Sequence, residues 1–169
     1  MSFLDSLLGS AQQRQEYQDF TQRYDQGPPW QGISDQEAYN RFQQVAPQLP
    51  PQAYQQSAHQ AFERLDPQQR MQLGQYLQQQ AQQQNLPFPH QGGLDAFQDA
   101  GYLAQVTGQM HQQQPGILGQ LLGGALGMSG GGGGGGGGAG SQGVLDSPIA
   151  KAALAGVAAM AVKQMMGGR

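Results

Sequence analysis

The chain has no cysteine, which excludes a disulfide framework, a thiolate nucleophile and any Cys-ligated metal site. Charge is scarce. The 8 Lys+Arg and 11 Asp+Glu make 11% of the 169 residues, against about a quarter in an ordinary soluble domain. With a formal net charge of -3 the chain lacks the basic footprint of a duplex-binding protein, so no nucleic-acid partner is expected. Long apolar runs are missing from most of the sequence. Met1-Ser-Phe-Leu-Asp-Ser-Leu-Leu-Gly-Ser10 has no basic start, and Asp5 interrupts it, so it does not read as a secretory signal and a cytoplasmic location is expected. The length suits one ordinary domain with tails.

Two residue types fill the space that charge leaves. Gln occurs 35 times and Gly 27 times, and they concentrate in different places. Gln is spread through residues 12–114, interleaved with aromatics. Gly gathers later, in a Leu/Gly segment and in the uninterrupted tract Gly130 to Gly138. The chain therefore divides into an apolar leader (1–10), a Gln-rich helical bundle (11–84) and a Pro/Gly hinge with Leu/Gly-rich helices (85–129). A Gly-rich linker (130–143) and a C-terminal amphipathic or apolar helix (144–169) follow.

Helical spacing runs through the Gln-rich part. Tyr17, Phe20 and Tyr24 recur at i, i+3 and i+7, which aligns them on one helix face. Gly27-Pro28-Pro29 closes that helix, and Trp30 follows as a residue delivered to the core. Ser34-Asp-Gln-Glu37 has the pattern of a capping box ahead of the face Tyr39, Phe42 and Val45. Pro50-Pro51 opens a helix with Tyr54, Ala58, Ala61, Phe62 and Leu65 on one stripe. Asp66-Pro67 restarts the chain for a helix carrying Met71, Leu73 and Leu77. Asp95 or Asp99 caps the next one, with Phe97, Tyr102, Leu103, Val106 and Met110. Sustained period-2 alternation is absent, so the expected fold class is all-α. Ala38-Tyr-Asn-Arg-Phe42 and Ala61-Phe-Glu-Arg-Leu65 share one pattern, in which each Arg flanks the buried stripe and lays its stem along it.

The segment Pro115-Gly-Ile-Leu-Gly-Gln-Leu-Leu-Gly-Gly-Ala-Leu-Gly-Met128 holds five Gly in 14 residues. At about 1 kcal/mol each relative to Ala, these argue against an isolated helix. A helix here needs a close partner surface that uses the missing side chains. The Gly tract cannot form a core and reads as a flexible tether. Beyond it, Ser147 at N-cap and Pro148 at N1 start the last helix.

Candidates for chemistry are few. Asp95 with Asp99, and Glu63 with Asp66, are acidic pairs that capping explains more simply than acid–base catalysis. His59 and Glu63 stand i, i+4 on one helix face, a spacing that holds a cation only with further ligands. His90 falls in a loop, and His111 falls where a helix end favours positive charge. No serine sits in a G-x-S-x-G turn, and no phosphate-loop pattern occurs. No catalytic residue, metal or cofactor is expected.

The last helix is the most suggestive element. Ala152-x-x-x-Gly156 and Ala155-x-x-x-Ala159 are small-x-x-x-small pairs that let helices approach closely. Met160, Met165 and Met166 add an adaptable apolar surface. Lys151 and Lys163 bracket an uncharged core of 11 residues, about 16 Å as helix against roughly 30 Å of hydrocarbon, which favours contact with a protein or a membrane surface over a full span.

Met1 to Ser10 and Ile117-Leu-Gly-Gln-Leu-Leu-Gly-Gly-Ala-Leu-Gly127 resemble the YidB-like family of bacterial proteins, with its hydrophobic leader and LLGG-type repeats. The tail from Ser147 to Gly156 is similar to tails in such proteins. The chain departs from the family pattern at Ser2 and throughout the Gln-rich part. The resemblance implies a bacterial, helical, non-enzymatic protein and carries over no functional residues.

These readings combine into a non-catalytic interaction or self-assembly protein. Its tethered last helix docks on its own oligomer, on a protein partner or on a membrane surface peripherally, through Ala152, Ala155, Gly156, Ala159, Met160, Met165 and Met166. A hydrophilic stress-protective protein and a weak metal-binding protein or enzyme are the alternatives.

Overall fold

A computed structural model describes residues 11–27, 31–89, 92–125 and 147–167. The leader 1–10, Pro28-Pro29-Trp30, His90 and the Gly tract lie outside the described residues, as do Leu126 to Asp146 as a whole. Among the described residues the protein is all-α, with seven α-helices and no strand. In chain order they are α1 (Ala11–Gln26), α2 (Asp35–Val45), α3 (Pro51–Glu63), α4 (Pro67–Gln83), α5 (Ala100–Gln113), α6 (Ile117–Ala125) and α7 (Ser147–Gly167). Short 3-10 turns at Ala46–Gln48 and Leu94–Gln98 precede α3 and α5.

The helix starts follow local chemistry. The Ser34 hydroxyl accepts from the Glu37 amide at 3.1 Å, half of the expected capping box. The Glu37 carboxylate does not return to the cap. It takes a bidentate pair with Arg23 at 2.6 and 2.9 Å, because a charge-assisted fork outweighs a neutral amide partner. At α4 the Gln69 side chain accepts from the Asp66 amide at 3.0 Å, and Pro67 supplies the preset φ. Asp99, not Asp95, caps α5, accepting from the Tyr102 amide at 2.7 Å.

The expected aromatic stripes are buried, with Tyr39 and Tyr102 at their edges only partly covered. Phe20, Tyr24, Phe42, Tyr54, Phe62, Leu73 and Leu77 are fully enclosed. Glutamines cover much of the outside, where the residue is a good helix former with no charge to pair. The two Ala-aromatic-x-Arg-apolar segments play matching roles. Arg41 lies 5.0 Å over the Tyr17 ring and pairs with Glu16 at 3.0 Å. Arg64 lies 4.7 Å over the Tyr24 ring and pairs with Asp25 at 3.0 Å. Each guanidinium thus caps one tyrosine of α1 and salt-bridges the acid beside it.

Glycine lets the later helices approach. A Cβ at Gly123 would lie 2.9 Å from the Tyr39 ring, and one at Gly119 3.0 Å from the Phe42 ring. So α6 uses its bare positions to seat on the aromatics of α2, the close partner surface its sequence requires. Phe97 belongs to the 3-10 turn instead of α5, and its ring fills the space above Gly74 of α4.

The last helix is part of the same bundle and not a separate tail. It packs against α1, α2, α3, α4 and α6, and Ile149 to Val162 is buried apart from the partly exposed Lys151. Its Ala, Val, Leu and Met side chains surround the axis, and a helix apolar on every side is stable only when enclosed. Without it the aromatic core of this small chain would be thin.

Candidate functional site

The cradle of α7 is assembled by α1, α2 and α3. Tyr24 comes from the last turns of α1, Asp35 opens α2, and Ala61 lies near the end of α3. Gly156 is the point of closest approach. A Cβ built there would meet the Ala61 Cβ at 2.6 Å, the Tyr24 hydroxyl at 2.7 Å and the Ala61 Cα at 3.3 Å. The Ala152-x-x-x-Gly156 pattern is therefore spent within the chain: its glycine lets α7 cross α3 backbone to backbone.

Both lysines are fixed to the cradle. Lys151 Nζ reaches Asp35 Oδ1 at 3.3 Å, and Lys163 Nζ reaches Asp25 Oδ2 at 2.5 Å. Twelve residues of helix separate the two, about 18 Å along the axis, so the pairs fix both the register and the direction of α7. Asp25 is shared, because Arg64 Nη2 contacts its other oxygen at 3.0 Å. Burial alone would lift the Asp25 carboxyl, but hydrogen bonds and charge from Lys163 and Arg64 hold it below the usual carboxylate value. Burial pushes the Tyr24 hydroxyl up to about 12, with Arg64 pulling the other way.

Of the residues singled out in the sequence, Ala152, Ala155, Gly156, Ala159 and Met160 are buried in this cradle. Met165 is partly buried against the core, and Met166, at 36%, is one of two exposed large hydrophobics among the described residues, with Leu94. Tyr24, Ala61, Asp25 and Asp35 complete the site and were not legible as its partners. The lysine bracket was visible, but nothing local assigns its counter-ions.

The remaining candidates stay apart. His59 Nδ1 and Glu63 Oε2 are 3.8 Å apart, both about half exposed, and among the described residues no group of three His, Cys, Asp or Glu could hold a metal. His59 borders an open groove of about 380 Å³ between α3 and α5, lined by Gln52, Gln55, Gln56, Gln60, Gly101 and Ala104. Asp95 and Asp99 belong to the turn and the cap of α5.

His111 corrects the sequence reading. It does not sit at a solvated helix end as a cation. It is buried, stacked on Tyr54 with ring centroids 4.0 Å apart and planes 7° apart, and its Nε2 lies 3.3 Å from the Leu49 carbonyl. Burial lowers its pKa, with the Leu49 carbonyl opposing, so the ring is held neutral. Burial raises the Tyr54 hydroxyl, with Thr107 opposing, and the Ser57 hydroxyl is buried without a hydrogen-bond partner among the described residues.

α7 also has the length and composition of a bilayer helix. Pro148–Gly167 is 20 residues long and apolar enough to cross a bilayer, and most of it is buried inside the bundle. Including the snorkelling lysines makes it longer than the 11-residue uncharged core alone suggests. Enclosure by the bundle is the arrangement the structure shows. No family model matches the chain, and neither a curated protein nor a solved structure matches it.

Proposed function

We propose that this is a non-catalytic interaction protein whose C-terminal helix is both the keystone of its own fold and the element it offers to a partner. The observation that carries the reading is the placement of α7. α7, apolar on every side, is held by the close approach at Gly156 and by the Lys151 and Lys163 ion pairs, and stands 21 residues beyond α6 in sequence, across the connection 126–146. The docked state shields the apolar surface, and a competing surface takes the helix by mass action. The YidB-like resemblance of the leader and the Leu/Gly segment is part of the same proposal. The bilayer-compatible length of Pro148–Gly167 supports a membrane surface as a second kind of target.

The absence of cysteine supplies a clean test. Ala155, fully buried in α7, and Ala81, fully buried in α4, are each changed to Cys in separate full-length chains. Thiol labelling under native conditions is then timed. The reading predicts that Ala155→Cys reacts faster than Ala81→Cys, because α7 leaves its cradle without global unfolding. Equal rates at the two positions would overturn it.

A further inference from the structure

Everything that holds α7 is a property of its cradle and none of it depends on which chain supplies the helix. The glycine at 156 seats on Ala61 and Tyr24, Lys151 meets Asp35, and Lys163 meets Asp25. A second copy of the chain offers the same three keys in the same geometry. The connection 126–146 has 21 residues, which extended reach roughly 70 Å. A compact chain of this length has a radius of gyration of only about 15 Å, so the reach exceeds the width of one molecule. Covalent linkage across so few residues keeps α7 near its own cradle at a local concentration of about millimolar.

Resting on the reading of α7 as the interaction element, we infer that two copies of this chain exchange their C-terminal helices, each α7 completing the cradle of the other. The exchanged dimer keeps every contact of the closed monomer and needs no new interface, which is the economy of domain swapping. It also leaves no core unfilled, whereas a helix released to solvent exposes both itself and Phe62, Tyr24 and their neighbours. The balance between the two forms follows protein concentration: closed monomers well below millimolar, exchanged dimers as chains approach it.

The ion pairs make the exchange readable. A carbodiimide joins the Asp25 carboxyl to the Lys163 amine as an amide, the water lost passing to the reagent as a urea. Equal amounts of ordinary and heavy-isotope full-length chain are unfolded together, refolded at about millimolar concentration, crosslinked and digested. The expected result is Asp25–Lys163 peptides joining one light and one heavy half, their share falling when refolding is done at high dilution. Crosslinks only within light or within heavy chains, at every concentration, would overturn the exchange. If that occurs while Ala155→Cys still labels rapidly, the helix leaves for a different target and only the exchange fails. Equal labelling at the two cysteine positions removes the broader reading as well.

Charge reversal gives a second arm. One chain carries D25K and D35K, the other K151D and K163D, so each opposes its own helix and complements the other's. Refolded together, they are expected to form a one-to-one dimer by native mass spectrometry. Two unmixed populations would contradict the inference.

Discussion

Lys163 Nζ lies 2.5 Å from Asp25 Oδ2, tying the far end of the last helix to the end of the first. Together with Lys151 and Asp35 at the other end, it turns an apolar helix with few distinguishing side chains into one with a defined register. Ala-rich surfaces slide easily, and the two charged ends supply what the methyl groups cannot. The pairs are partly exposed, and each is worth only about 0–1 kcal/mol in stability. Replacing Lys163 by Gln is therefore expected to lower the urea midpoint slightly at low salt and hardly at all at high salt. A large loss that persists at high salt would show that the pair does more than align the helix.

Gly156 carries the opposite expectation to helix propensity. Alanine is the better helix former by about 1 kcal/mol, yet its methyl would meet Ala61 and the Tyr24 hydroxyl well inside contact distance. Overpacking of this kind costs about 1–3 kcal/mol. Gly156→Ala should therefore melt earlier than the parent by circular dichroism, and Gly156→Val earlier still. Unchanged or raised melting in Gly156→Ala would place the close crossing elsewhere.

Gly74 and Phe97 form a second close pair, since a Cβ at 74 would sit 2.2 Å from the Phe97 ring. Gly74→Ala is expected to destabilise by a few kcal/mol, about the range of overpacked cores. Phe97→Ala alone also destabilises, by emptying the site. The double variant should lose much less than the sum, because the new methyl enters the space the ring vacates. Additive losses in urea titrations would contradict the contact.

His111 sets a pH dependence. Its pKa is lowered from 6.5 in the fold, so the folded protein binds the proton less well than the unfolded chain. Stability from this group is complete above about pH 6.5 and is lost as pH falls from there toward the lowered folded value. Asp25 adds a second loss further into acid. Its folded pKa is below the ordinary 3.8, and its contribution, present above that value, disappears as pH falls through the folded one. Thermal melts are expected to be flat from pH 8 to 7 and to decline below about 6.5. In His111→Phe the first decline should vanish and the second remain.

How much of this was legible follows from the range of each interaction. Tyr17, Phe20 and Tyr24, or Tyr54, Ala58 and Phe62, declare their helices because their spacing is local. Asp66-Pro67 declares its helix start for the same reason, and Asp95 or Asp99 declares another, of which the fold uses Asp99. The need of the Leu/Gly segment for a close partner was also readable from its missing side chains, though not that Tyr39 and Phe42 supply it. What the sequence hid is long-range. Lys163 and Asp25 are separated by nearly the whole chain, and Gly156 and Ala61 by most of it. His111 reads as a helix-end residue until the loop at Leu49 and the ring of Tyr54 close over it. A tail beyond a glycine tract looks like an appendage, and only packing shows that an all-round apolar helix belongs at the centre.

The account turns on whether α7, though central, opens independently of the bundle that encloses it. Native-state hydrogen exchange of the full-length chain, across low denaturant concentrations, measures this directly. The prediction is that amides of Ile149 to Val162 exchange through an opening cheaper than global unfolding, while those of Leu73 to Leu77 in α4 exchange only with it. If α7 and α4 share one opening free energy at every denaturant concentration, the helix is a fixed core element and the interaction role assigned to it is wrong.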